Sequence, residues 1–321
     1  MNSILALMTV VSLGSQNPGS AHLMIVTGLG GEPGYKRELS AWSDSLVAGA
    51  GRLGVPASNI LYLAGDSVGM GVRRATRENV IAGLRDLAKR SRPDDAIILF
   101  FAGHGSHEGA QSRLNLPGPD LTAADLAAEL PALAGRRLVV VNAASASGDF
   151  VAALSGQGRV IITATKSAFE RNATRFGGHF AMAFAGSGAD ADKDGRVSVL
   201  EAFLYAKRET ARMYENDNRL LTEHAVLDDD GDKAGSSAPG SAGTEGALAR
   251  TVFLSAAPAA VVPTDAATAA LVMEKRQLEK RIADLRGRKA SMREAEYEAQ
   301  LETLLVELAL KNEALRGRRA P

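Results

Sequence analysis

Two uninterrupted apolar runs constrain this chain more than anything else in it: Ile97-Ile98-Leu99-Phe100-Phe101 and Leu138-Val139-Val140-Val141. Each is short, β-branched or aromatic, and free of apolar–polar alternation. That pattern belongs to strands covered on both faces, hence to a parallel sheet. Parallel neighbours need a crossover, and Thr122 to Leu133 between them is helix-compatible. The runs end in turns of small residues, Ala102-Gly103-His104-Gly105-Ser106 and Asn142-Ala143-Ala144-Ser145-Ala146-Ser147-Gly148. Ligand and catalytic groups of such sheets sit just past the carboxyl ends of the strands. His104 and Ser145 therefore stand where a site is expected.

A buried strand ending in His-Gly, then a second ending in Ala-Cys-x-Ser-Gly, is the pattern of the caspase-like cysteine peptidases, above all of their legumain branch. From about His22 to Ser255 this chain resembles them. The resemblance implies a three-layer α/β sandwich with a mainly parallel sheet. It makes Gly103-His104-Gly105 the catalytic-histidine turn and Ala144 to Gly148 the nucleophile turn, with Ser145 in place of the cysteine. The separation of 41 residues, from 104 to 145, suits the family. The N–H groups of Gly105 and Ser145 are the implied oxyanion donors. One departure is decisive, because the chain contains no cysteine.

A nucleophile needs a base within hydrogen-bond reach and donors for the developing charge. A thiolate forms readily near neutral pH, whereas a serine needs strong help from its base. No Asp or Glu is placed by sequence to orient His104. The first expectation is thus a non-catalytic calcium-binding scaffold that binds a peptide or protein partner. The alternative is a serine-type hydrolase with a Ser145–His104 dyad. A metal hydrolase using His104 and His107 is disfavoured, since H-x-x-H in a glycine-rich turn lacks the helical i, i+4 geometry. His22, His179 and His224 read as structural or exposed, and Ser147 as the serine that the family keeps beside its nucleophile.

Zero cysteines also exclude disulfides and thiolate zinc sites. With 37 basic and 37 acidic residues, no global field draws the protein to nucleic acid. Ile4 to Leu13 is apolar and Ser15 to Ser20 small and polar, so residues 1–21 read as a signal remnant or a disordered N-terminus. A signal remnant implies a periplasmic or secreted protein, and its absence a cytoplasmic one. No stretch is long enough to span a membrane.

Leu23 to Thr27, Asn59 to Ala64 and Arg159 to Ala164 read as further strands, and Thr251 to Ser255 as the last. Helices are expected at about Tyr35 to Leu53, from a Thr76 cap to Arg90, from Gly148 to Leu154 and over Phe176 to Phe184. The run Gly28-Leu29-Gly30-Gly31 lacks both nucleotide-binding glycine spacings. Lys166 to Arg175 is expected as an exposed loop, with lining of a cleft as the alternative. Leu227 to Thr244, acidic and then rich in Gly, Ser and Pro, reads as a flexible loop, with a second metal site a weak alternative.

Asp190 to Glu201 fits the twelve-residue EF-hand loop at every ligand position. Asp190, Asp192 and Asp194 stand at positions 1, 3 and 5, Gly195 at the sharp turn, and Glu201 at position 12. Arg196 offers its carbonyl and Ser198 a water-mediated contact, so the expected ion is Ca2+. Ser198 and Glu201 also form a capping box for a helix to about Glu215.

Beyond a linker at 257–264, apolar residues recur at 3–4 spacing in two registers: Leu271, Leu278, Ile282, Leu285 and Met292, then Tyr297, Leu301, Leu304, Leu308 and Leu315. Gly287 and the capping box Ser291 to Glu294 lie at the break. The expectation for 265–321 is an antiparallel helical hairpin, about Asp265 to Arg286 and Met292 to Leu315. The alternative is one long helix in a coiled-coil dimer. Either way the stripes need a partner, the other helix or another protein.

Overall fold

The computed structural model describes residues 19–65, 72–109, 111–193, 195–240, 245–254, 266–287 and 292–317. The signal reading and the linker at 257–264 fall on residues outside this set. In chain order the first half runs β1 (Ala21–Thr27), α1 (Pro33–Arg52), β2 (Ile60–Ala64), β3 (Val72–Arg74), α2 (Arg77–Arg90), β4 (Ala96–Ala102), β5 (Gly105–Glu108), β6 (Gln111–Leu114) and β7 (Leu121–Thr122). The second half runs α3 (Ala123–Glu129), β8 (Arg137–Asn142), α4 (Phe150–Leu154), β9 (Arg159–Thr163), α5 (Phe176–Ala183), α6 (Val199–Asn216), β10 (Val226–Asp228), α7 (Ala266–Gly287) and α8 (Glu294–Gly317).

Seven strands form one sheet in the order β10-β9-β8-β4-β1-β2-β3. Every pairing is parallel except that of β10 with β9. The two apolar runs lie side by side at its centre, Ile97 against Leu138 and Phe101 against Asn142. Both faces of the sheet are covered, which explains why those runs do not alternate. Leu23, Ile25, Ile98, Phe100, Val139 and Val141 face α1, α5 and α6, meeting Leu39, Leu46, Phe176, Phe180 and Phe203. Met24, Val26, Ile97, Leu99, Leu138 and Val140 face α2, α3 and α4, meeting Val80, Leu84, Leu126, Phe150 and Leu154. The protein is thus a three-layer α/β sandwich. Burying side chains such as Phe100 and Phe180 contributes about 2–3 kcal/mol each.

Local sequence sets the helix starts. The Thr76 hydroxyl accepts from the Asn79 N–H and begins α2. Thr122 with Asp125, and Ser198 with Glu201, complete reciprocal capping boxes at α3 and α6.

Two sequence expectations are corrected. Thr251 to Ser255 is no sheet strand: Ala249–Thr251 is a 3-10 turn, Phe253 bridges Ser198, and Ser255 lies outside the described residues. Nor is Leu227 to Thr244 a flexible loop over its described part. It begins in β10, and Leu227 bridges Ser236. The carboxylates of Asp228 and Asp229 are the reason: Asp228 accepts from the N–H groups of Gly231 and Lys233, Asp229 from those of Gly246 and Ala249. β5, β6 and β7 form a separate antiparallel sheet that the sequence reading lacked.

The C-terminal helices form an antiparallel pair. Leu278, Ile282 and Leu285 of α7 pack on Tyr297, Leu304 and Leu308 of α8. Ion pairs Lys311–Glu274 and Arg281–Glu307 cross the seam in antiparallel register. Among the described residues no helix is long and apolar enough to cross a membrane.

Candidate functional site

Adjacent strands β4 and β8 deliver the His104 and Ser145 turns to the same sheet edge, and the Ala143 N–H donates to the Phe101 carbonyl where the strands end. The turns touch through Gly105. Its N–H donates to Ser145 Oγ at 3.1 Å, and that hydroxyl reaches back to the Gly105 carbonyl at 3.4 Å. A Cβ at Gly105 would lie 2.1 Å from the Ser145 carbonyl oxygen, so glycine is what lets the turns approach this closely.

Ser145 is 1% exposed. Among the described residues it makes no hydrogen bond to His104, and its own N–H has no acceptor. The His104 ring lies elsewhere, half-buried and tilted against Tyr35 at 5.0 Å between centroids. Its Nε2 stands beside Gly31, where an added Cβ would lie 3.4 Å away. The Gly28-to-Gly31 turn therefore serves the site by packing: His104 N–H donates to the Leu29 carbonyl, and Gly28 N–H to that of Ala102. Tyr35 is held at about 12, chiefly by burial, so it stays a neutral phenol.

Many contacts fix the Ser145 turn. Asn142 Oδ1 accepts from the Ala144 N–H, and Thr165 Oγ1 from those of Ser147 and Gly148. Ser147 Oγ also meets Thr165 Oγ1, so Ser147 is committed to the turn. Ala146 has φ +51, a left-handed conformation uncommon for alanine. Its N–H donates to the Glu170 carbonyl, and Thr174 Oγ1 donates to the Ala143 carbonyl. Lys166 to Arg175 is a loop without helix or strand, as expected, with Phe169 80% exposed, and it forms the outer wall of this turn. Glu223 anchors the far end of the wall. Its carboxylate accepts from the Arg175 and Phe176 N–H groups at the start of α5 and from the Tyr214 hydroxyl. Burial raises its pKa against those bonds.

His107 departs from His104. Its Nδ1 meets Ser112 Oγ at 3.0 Å and Asp149 Oδ2 at 3.1 Å. Among the described residues, neither histidine joins a group of three or more potential metal ligands. His22 pairs with Asp95 and His224 with Glu170, while burial lowers the pKa of His179. Asp149, Thr165, Thr174, Glu170 and Glu223 carried no sequence signal, because they act through partners distant along the chain.

In the loop from Asp190 to Glu201, Asp190, Asp192 and Glu201 bring carboxylate oxygens within 4.8 Å of one another. Asp194 lies outside the described residues. The Gly195 N–H donates to Asp190 Oδ2, with Lys193 at φ +57 and Gly195 at φ +87. Glu201 folds back over the loop: Oε1 accepts from the Ala191 and Asp192 N–H groups, Oε2 from Ser198. The Arg196 guanidinium lies over the Phe253 ring, 3.4 Å from its centroid. These hard oxygen donors suit calcium. A second acidic group joins Asp228, Asp230, Asp232 and Glu245. Burial, then the neighbouring aspartates, push Glu245 up to about 8.

Residues 69–213, which carry both turns and the Asp190-to-Glu201 loop, match the model of the Peptidase C13 family. That match supports the caspase-like peptidase family that the turns imply. No curated protein sequence matches the chain. A solved structure similar to it is caspase-1 from Spodoptera frugiperda, 12% identical, with a TM-score of 0.43, covering 66% of this chain and 88% of that one.

Proposed function

We propose that this caspase-fold, peptidase-like protein is a non-catalytic, calcium-binding scaffold for a peptide or protein partner. The observation that carries the reading is the environment of Ser145. A serine nucleophile needs its hydroxyl on a base and open to substrate. Here the hydroxyl is buried and engaged with both backbone groups of Gly105. His104 instead packs on Tyr35. Ser145 then works as a tie between turns, occupying the place of a nucleophile. The calcium half of the reading rests on the convergence of Asp190, Asp192 and Glu201 within a loop of EF-hand pattern.

One observation favours the serine-hydrolase alternative: among the described residues, the Ser145 N–H has no acceptor and is free to hold an oxyanion. Fluorophosphonate labelling of wild type and Ser145→Ala, with and without calcium, separates the two. The scaffold reading expects no Ser145-dependent label, and a label lost in Ser145→Ala overturns it. For calcium, binding to the native state alone adds about 2.7 kcal/mol at a hundredfold excess over Kd. Melts in calcium and in chelator should differ, and Glu201→Gln should remove the difference.

A further inference from the structure

The helical pair meets the sandwich at the EF-hand loop, where Asn312 Nδ2 donates to the Lys193 carbonyl at 3.4 Å. Beside that contact lies a groove of about 470 Å³ between the loop and α8. Its floor is aliphatic: Leu301, Leu305, Val306 and Ala309. Val306 is 55% exposed, although α8 already buries Tyr297, Leu304 and Leu308 against α7. So α8 carries a second apolar face, and the helical pair does not use all of it.

On its α8 side the rim of the groove is acidic. Glu298 and Glu302, one turn apart, line it, while Asp192 and Lys193 balance each other on the loop side. Among the described residues neither glutamate makes an ion pair, whereas Glu296, Glu307 and, across the seam, Glu274 all do. Unpaired carboxylates flanking aliphatic surface complement a ligand that is apolar along one line and cationic beside it.

We propose that this groove seats a basic amphipathic segment of a partner protein, with aliphatic side chains on Leu301, Leu305 and Val306 and Lys or Arg side chains on Glu298 and Glu302. This deepens the scaffold reading by stating the partner's chemistry, and it rests on that reading only for the expectation that a partner exists. Lysine or arginine spaced i, i+4 on the partner matches the glutamate spacing. On the loop side, Asn312 with Lys193 sets the end of the seat.

The test uses the full-length chain and a fluorescein-labelled helical probe of about fifteen residues, with two leucines on one face flanked by lysines at i, i+4. Its control carries glutamate for each lysine. Anisotropy titrations should show saturable binding of the lysine probe, weakened by salt, and none of the glutamate control. Glu298→Lys with Glu302→Lys should weaken binding by about tenfold or more. The same charge change at exposed Glu294 and Glu313 should leave it within about twofold, with helix content unchanged by circular dichroism. Equal binding of both probes, no binding of either, or equal loss in both variants overturns the proposal. So does light scattering that shows a dimer lost in Glu298→Lys/Glu302→Lys, since the occupant is then a second copy. Fluorophosphonate labelling reads the state of Ser145 independently, so failure of one reading is not mistaken for failure of the other.

Discussion

Ser145→Ala is the change that separates a structural serine from a working one. The hydroxyl makes one well-formed bond, from the Gly105 N–H at 3.1 Å, and one long contact to the Gly105 carbonyl at 3.4 Å. Truncation strands the Gly105 donor between two packed turns and leaves a gap of one oxygen atom. An unsatisfied donor costs about 1–3 kcal/mol, and the long contact adds little, so the expected loss is about 1.5–2 kcal/mol. Equilibrium unfolding in urea, followed through the single tryptophan, Trp42, reads this directly. With a slope of about 2.5 kcal/mol/M the midpoint should fall by about 0.7 M. A nucleophile held under strain behaves in the opposite sense, because removing it relaxes the fold. An unchanged or raised midpoint in Ser145→Ala refutes the reasoning, since the Gly105 bonds would then be worth nothing to the native state.

Gly105→Ala places a methyl 2.1 Å from a backbone oxygen that no rotamer can move, so it should cost about 3 kcal/mol, whereas Gly109→Ala, open but at φ +64, should cost about 1; equal melting temperatures would deny the contact. Glu245 holds a proton in the folded state up to about 8 that the unfolded chain releases near pH 4.3, so stability should decline as pH rises between those values and level off above them. Glu245→Gln should flatten that slope in melts from pH 5 to 8, and an unaltered slope would assign it to other groups. Ser145→Cys gives the protein a lone thiol at a position 1% exposed, with the His104 ring packed on Tyr35, so alkylation by iodoacetamide should be far slower than for a surface thiol and unchanged in the His104→Ala background. Fast alkylation that slows in His104→Ala would mean that the imidazole acts on this position after all.

What was legible in the sequence is what adjacent residues decide. The central strands are visible because a buried parallel strand must be apolar on every residue, and Thr76, Thr122 and Ser198 start helices through partners three residues on. The positions of His104 and Ser145 at one sheet edge follow from topology. Their mutual geometry does not, because the pairing of Ser145 Oγ with the Gly105 backbone is made by the close approach of two turns distant along the chain. The acidic stretch after Val226 looked unstructured by composition. Asp229 becomes a structural residue only when Gly246 and Ala249 return to it across the fold. Glu170 is similar: its carbonyl meets Ala146, and its carboxylate meets His224, 54 positions away.

The strand order has a consequence for synthesis. β1 lies between β2 and β4, with every residue of Ala21–Thr27 buried, and its partner Ala96–Ala102 emerges 75 residues later. At about 5–20 residues per second a ribosome needs about 4–15 s to supply it. Over that interval β2 can cover one side of β1. The other side presents a row of open N–H and C=O groups flanked by Leu23, Ile25 and Val26. Conditions that slow translation between residues 27 and 96 lengthen that exposure, and nascent chains stalled there are the species most prone to pair with one another.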